Sequence, residues 1–134
     1  MKLGDTGFFE AILDMDYEPF FYNLIIKQGD GIEYTLTDPY AFQPVLAEFD
    51  RHLISAGTHY ERYRKLGANL VEHQGFKGVQ FAVWAPNARA VSVVGNFNSW
   101  DGRRHQMRML GSSGIWEIFI PNLGENELYR FEIH

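Results

Sequence analysis

Val79-Gln80-Phe81-Ala82-Val83-Trp84-Ala85-Pro86-Asn87-Ala88, then, after Arg89-Ala90, Val91-Ser92-Val93-Val94-Gly95-Asn96-Phe97-Asn98-Ser99-Trp100-Asp101, is the stretch that decides the fold. Val79, Phe81 and Val83 alternate with Gln80, Ala82 and Trp84, the two-residue period of a strand with one buried face. Ala85-Pro86-Asn87-Ala88 predicts a turn, because proline fixes φ at one corner and asparagine tolerates the left-handed region. Val91 and Val93 resume the alternation on one face, with Ser92 and Asn96 on the other, and Gly95 ends it. The loop that follows sets amides and a hydroxyl (Asn96, Asn98, Ser99) around Phe97 and Trp100. Such a mixture suits a sugar ring, which offers hydroxyls at its rim and C–H groups on its faces. It equally suits a turn in which both aromatics pack inward.

Short strands continue on either side. Upstream, Phe8 to Leu13, Phe20 to Lys27 and Ile32 to Thr37 read as three strands of a meander, with turns at Asp16 to Pro19 and Gln28 to Gly31. Gly29-Asp30-Gly31 has the spacing of a phosphate loop, but a strand pattern follows it rather than a helix, so it is read as a hairpin turn. Pro44 is expected to open a helix whose apolar stripe is Val45, Leu46, Phe49 and Leu53, ending at Gly57. Thr58 to Glu61 has the form of a capping box and predicts a second helix ending at Gly67. Downstream, Asn69 to His73 is a predicted strand with a turn at Gly75 to Gly78. Further strands follow at Met107 to Leu110, Trp116 to Ile120 and Leu128 to Ile133. Trp116, Ile118 and Ile120 share one face, while Arg130 falls on the outward side of the last strand. Closely spaced strands of this kind predict a mainly all-β fold built on an antiparallel β-sandwich. A partial β unit and a short helical connector precede it.

Composition narrows the partners. With 134 residues, 46% hydrophobic and 16% aromatic, the chain can bury a sizeable core. A formal net charge of −5 argues against a nucleic-acid or anionic-membrane partner. Arg103-Arg104-His105 is the one basic cluster and reads as a solvated loop. Cysteine is absent, so disulfides and thiolate metal sites are excluded, in keeping with a reducing cytosol. The five histidines (His52, His59, His73, His105, His134) lack metal-ligand spacing, and no cofactor or metal site is expected. No signal-peptide pattern or membrane-length apolar run is visible, which predicts a soluble, cytoplasmic protein.

The central stretch resembles the starch- and glycogen-binding module that precedes the catalytic barrel in bacterial-type α-1,4-glucan branching enzymes, the module otherwise found at the N-terminus of isoamylases. The resemblance rests on Phe81 to Ala88 and on Val91 to Asp101. It is supported by His59-Tyr60 and Lys65 to Ala68 upstream, and by Ser113 to Pro121 and Leu128 to Ile133 downstream. Asp38-Pro39-Tyr40, followed by the helical connector, points to branching enzymes in particular. The resemblance implies three parts: residues 1–43 as the end of a preceding β-sandwich, 44–67 as the connector, and 68–134 as an immunoglobulin-like glucan-binding module truncated at its C-terminal end. It also implies an α-glucan partner (glycogen or a linear maltooligosaccharide) and a barrel partner elsewhere in the same polypeptide. The retaining carboxylate pair of the reaction would lie in that barrel, leaving no catalytic residue here. Trp100 would be the stacking platform, with Asn98 beside it. Arg130 stands where related modules usually carry lysine, and its planar fork differs from an ammonium. Trp84 and Trp116, inside strand patterns, are assigned to packing. Two rival expectations are a structural spacer that docks on the barrel and binds no sugar, and, more remotely, a glycogen-targeting regulatory domain.

Overall fold

The computed structural model describes residues 1–14, 20–27, 29–48 and 65–134. Among them the strands are β1 (Asn23–Lys27), β2 (Glu33–Thr37), β3 (Gly67–His73), β4 (Phe76–Trp84), β5 (Val91–Gly95), β6 (Arg108–Met109), β7 (Ile115–Pro121) and β8 (Tyr129–Ile133). All pairings are antiparallel: β1 with β2, a four-stranded sheet in the order β3-β4-β7-β6, and β5 with β8. The alternation in β4 does what the sequence implies. Val79, Phe81 and Val83 lie opposite Ile120, Ile118 and Trp116 of β7, and the set packs against Val91 and Val93 of β5 and against Met107. Burying each such side chain contributes about 1.5–3 kcal/mol, so this face dominates the stability of the sandwich. The segment before β6 crosses between the layers. Val93 N–H donates to His105 O (3.1 Å) and Met107 N–H to Val91 O (2.8 Å), after which Arg108 and Met109 pair with β7.

The turns refine the sequence reading. Ala88 N–H donates to Ala85 O (3.1 Å), closing the turn expected at Pro86-Asn87. The next expected turn falls earlier than Gly75 to Gly78: His73 pairs with Phe76, and Gln74 and Gly75, both left-handed (φ 50° and 85°), make a two-residue hairpin. Gly78 is a strand residue at a close approach, where a Cβ would fall 2.3 Å from Ile120 O and 2.9 Å from the Phe119 ring.

The N-terminal reading holds for β1 and β2 but not for Phe8 to Leu13. There the pairing is a single bridge between Lys2 and Phe9, and Phe8, Phe9 and Ile12 are exposed. Pro44, Val45 and Leu46 are not helical, and Glu48 is the first helical residue of that segment. Phe49, Leu53, the helix end at Gly57, the capping box from Thr58 and the turn at Asp16 to Pro19 lie outside the described residues. Gly67 opens β3.

The other face of the four-stranded sheet is covered too. Phe42 and Leu46 are buried against it, and Phe42 meets Phe119 (4.9 Å between ring centroids), Phe76 (5.2 Å) and Phe21 (4.8 Å). Glu117 alternates with the core residues of β7 and is 1% exposed. Its Oε1 accepts from Val45 N–H (2.7 Å), and its Oε2 accepts from Leu46 N–H (2.9 Å) and Gln80 Nε2 (3.0 Å). The covering segment supplies backbone donors that a carboxylate alone can satisfy in pairs. Trp116 is buried as expected, its Nε1–H donating to Ala85 O (3.0 Å). Trp84, assigned to packing with it, is 56% exposed, because it closes β4 beyond the last covered position.

Candidate functional site

The site is built where β5 ends. Gly95 passes so close to the loops that a Cβ would lie 2.5 Å from both Leu128 O and the Phe97 ring. Asn96–Asn98 then form one 3-10 turn, and Trp100 N–H returns to Gly95 O (2.9 Å). Ser99 and Trp100 both have left-handed backbones (φ 57° and 58°), an arrangement that costs of order 1 kcal/mol or more per residue. The two aromatics part company here. Phe97 turns in, 5.9 Å from Phe81 and 5.6 Å from the His105 ring, whereas Trp100 turns out and is 44% exposed. Its indole is steadied by an Nε1–H bond to Asn96 Oδ1 (2.9 Å).

Trp100 forms one wall of an open groove of about 530 Å³, whose other walls include Ser92, Asp101, Gln106, Glu132 and His134. The groove therefore joins a flat apolar face to hydroxyl, amide and carboxylate groups. Arg103 makes a two-pronged bond to Asp101 (Nε to Oδ1 2.9 Å, Nη2 to Oδ2 2.8 Å), which holds the Asp101 carboxyl at a pKa of about 2. Glu132 Oε1 contacts His134 Nε2 at 2.7 Å. Arg130 is exposed on β8 opposite Val94; by strand alternation it shares the outward face with Glu132, one step along from the groove.

Of the three residues singled out from the sequence, Trp100 lines the groove and Arg130 flanks it. Asn98 does neither. It is 1% exposed: its Oδ1 accepts from Gly95 N–H (2.9 Å), and its Nδ2 donates to Val93 O (2.8 Å) and approaches His105 Nδ1 (3.0 Å). An amide so engaged has no donor left for a ligand, so Asn98 braces the loop instead of touching what the loop presents. His105 is a second correction. It is 6% exposed rather than a solvated basic residue, and burial, aided by the charge of Arg104, lowers its pKa to about 4. Ser92, Gln106 and Glu132 also line the groove, although no local motif marks them as site residues. The alternation of β8 already placed Glu132 beside Arg130, but the Ser92–Gln106 bridge that brings the other two together joins distant segments. Among the described residues no group of three His, Cys, Asp or Glu could hold a metal ion, and no helix is long and apolar enough to cross a membrane.

An antiparallel sandwich that presents a tryptophan over an open polar groove has the makings of a carbohydrate-binding module. Residues 65–134 match the family model of carbohydrate-binding module 48 (isoamylase N-terminal domain), and the chain belongs to that family. It is similar to the 1,4-alpha-glucan branching enzyme GlgB of Novosphingobium aromaticivorans, at 51% identity over 132 residues, covering 98% of this chain and 18% of that protein. The corresponding protein of Mesorhizobium japonicum is 51% identical over 133 residues (98% of this chain and 18% of the relative). That of a Nostoc strain is 53% identical over 130 residues (96% and 17%). The chain thus spans less than a fifth of the length of these relatives.

Proposed function

We propose that the chain is the non-catalytic N-terminal part of a 1,4-alpha-glucan branching enzyme, and that its module binds α-glucan beside the catalytic barrel of the same polypeptide. The whole enzyme would transfer an α-1,4 segment to a 6-hydroxyl with retention, using a carboxylate nucleophile and a carboxylic acid outside these residues. Trp100, outward-facing on a strained loop at a polar groove, is the observation that carries this reading. Its indole would stack on a glucose face, Arg130 would donate to hydroxyls, and Asn98 would act through the loop. One stacked ring with a few hydrogen bonds suggests a dissociation constant on the order of 1 mM, about −4 kcal/mol.

The test is a titration of the isotope-labelled chain with maltoheptaose, followed by NMR at the three tryptophan indoles. The Trp100 signal should move and the Trp116 signal should stay. An unmoved Trp100 at tens of millimolar sugar, an order above the expected constant, would leave the spacer reading in place. That second reading draws on Trp84, Leu70 and Leu128, large apolar side chains that each stand exposed. Amylose incubated with the chain should keep its iodine colour. Loss of colour at an enzyme-like rate, surviving repurification, would overturn the assignment of catalysis to residues elsewhere.

A further inference from the structure

The imidazole of His105 lies beneath the loop that presents Trp100, and the hydrogen bonds fix which of its nitrogens can carry a proton. Gly95 N–H can only donate and Val93 O can only accept, so together they fix the orientation of the Asn98 amide, with Oδ1 toward Gly95 and Nδ2 toward Val93. The remaining Nδ2 hydrogen points at His105 Nδ1, 3.0 Å away, which must therefore be a bare acceptor. The backbone of His105 is itself bolted to β5 through Val93 N–H. A continuous chain of contacts thus runs from His105 to Asn98, to Gly95 and to Trp100, whose N–H is held by Gly95 O.

We propose that His105 is a positioning residue for the Trp100 platform, and that glucan binding at this groove requires its imidazole to be neutral. The proposal rests on the glucan-binding reading of the groove. A proton on Nδ1 would set two donors against each other inside a buried site, loosening Asn98 and, through Gly95, the left-handed pair Ser99 and Trp100. The neighbours do not offset that proton. Val93, Phe97 and Asn98, which contact His105 from β5 and the 3-10 turn, carry no charge, and Arg104 adds repulsion. Asp101 on the same loop is committed to Arg103, and the Glu132–His134 pair lines the groove at the end of β8.

The experiment compares the 134-residue chain with His105→Asn, which keeps an acceptor near Nδ1 but cannot be protonated, and with His105→Leu, which keeps none. Maltoheptaose affinity and the Trp100 indole signal are followed from pH 7 to pH 4, with the buried Trp116 indole reporting on the fold. The unmodified chain should lose about twofold in affinity by pH 4, where half of the His105 imidazole is protonated, with the loss steepening toward that end of the range, while Trp116 is unmoved. His105→Asn, which retains Glu132, His134 and Asp101, should be nearly flat. His105→Leu should bind at least tenfold more weakly at pH 7; if it does not fold, the comparison of the other two decides. Superimposable pH profiles for the unmodified chain and His105→Asn would overturn the proposal. So would loss of the Trp100 and Trp116 signals together at one pH. If no sugar binds at pH 7, the glucan reading fails separately. His105 is then judged on the sugar-free Trp100 signal, which must follow its titration in the unmodified chain and not in His105→Asn.

Discussion

Phe97 and Trp100 are three residues apart in one loop, and their opposite fates separate function from packing at the scale of single side chains. Trp100→Ala should abolish maltoheptaose binding and leave the unfolding midpoint in urea nearly unchanged, since a half-exposed indole on a strained loop contributes little to the core. Trp116→Ala should cost roughly 3–5 kcal/mol, because it empties a buried site and removes one of the two hydrogen bonds to Ala85 O; urea unfolding would measure it. His105 adds a dependence on pH. Its folded-state pKa of about 4 lies below the ordinary 6.5, so between those values the unfolded chain binds more protons than the native one. Stability from this group is therefore complete above about pH 6.5 and is lost as pH falls toward 4, on the order of 3 kcal/mol in all. Urea midpoints at pH 7, 5.5 and 4 should fall in that order, and His105→Asn should remove much of the slope. The sequence displayed the amides and aromatics of this loop but not their directions. Those follow from Gly95 and Val93 backbone groups that claim Asn98, a choice made by tertiary geometry.

At the scale of elements, β7 shows what alternation can and cannot disclose. Trp116, Ile118 and Ile120 announce a buried face, and the register with β4 realises it. The same pattern leaves Glu117 and Phe119 on the opposite face, which a two-layer reading leaves open to solvent. A third layer, running through Phe42 and Leu46, covers them. Nothing local to Glu117 signals its backbone partners, which lie 71 and 72 residues earlier. Its carboxylate replaces the hydrogen bonds that Val45 and Leu46 would otherwise find in water. Glu117→Ala should strand those donors and cost on the order of 3 kcal/mol, as two or three charge-assisted bonds are lost and buried N–H groups are left unpaired. Glu117→Gln should cost less, since one oxygen survives while its new NH₂ opposes a backbone donor. Urea unfolding of both variants, with amide exchange at Val45 and Leu46, would separate loss of the layer from loss of the sandwich. Gly78 is legible only as a glycine. That it serves an approach to Ile120 rather than a turn depends on where β7 lies.

Across the whole molecule, the packing is graded from one end to the other. Residues 67–133 hold the sandwich core, and the segment through Phe42 and Leu46 is fastened to it by Glu117, by Tyr40 Oη–H to Gln106 O (2.9 Å) and by Arg108 Nη2 to Phe42 O (2.7 Å). The β1–β2 hairpin is joined to that body more thinly, through Phe21 on Phe42 and Phe76 and through the Tyr22 hydroxyl on Asp38. Its own apolar side chains stay wet; Ile25 is 61% exposed, and Leu24, Ile32 and Leu36 are also in contact with solvent. An isolated two-stranded hairpin is marginal at best in water, so little beyond the ladder itself resists its opening. We therefore propose a boundary of stability between residues 37 and 38, somewhat before the 43/44 division read from the sequence, because Asp38, which caps Tyr40 N–H, and Tyr40 and Phe42 belong energetically to the sandwich. Amide hydrogen exchange tests this directly. Leu24, Ile26 and Tyr34 should exchange through local opening, at rates insensitive to Trp116→Ala. Phe81, Val83, Val93, Ile118 and Phe131 should exchange only near global unfolding, and faster in that variant by the factor its lost stability implies. Leu46 should follow the second group in the parent chain and move to the first in Glu117→Ala. Equal protection of β1 and β7 would mean that the hairpin and the sandwich open as one cooperative unit, and the proposed boundary would be wrong.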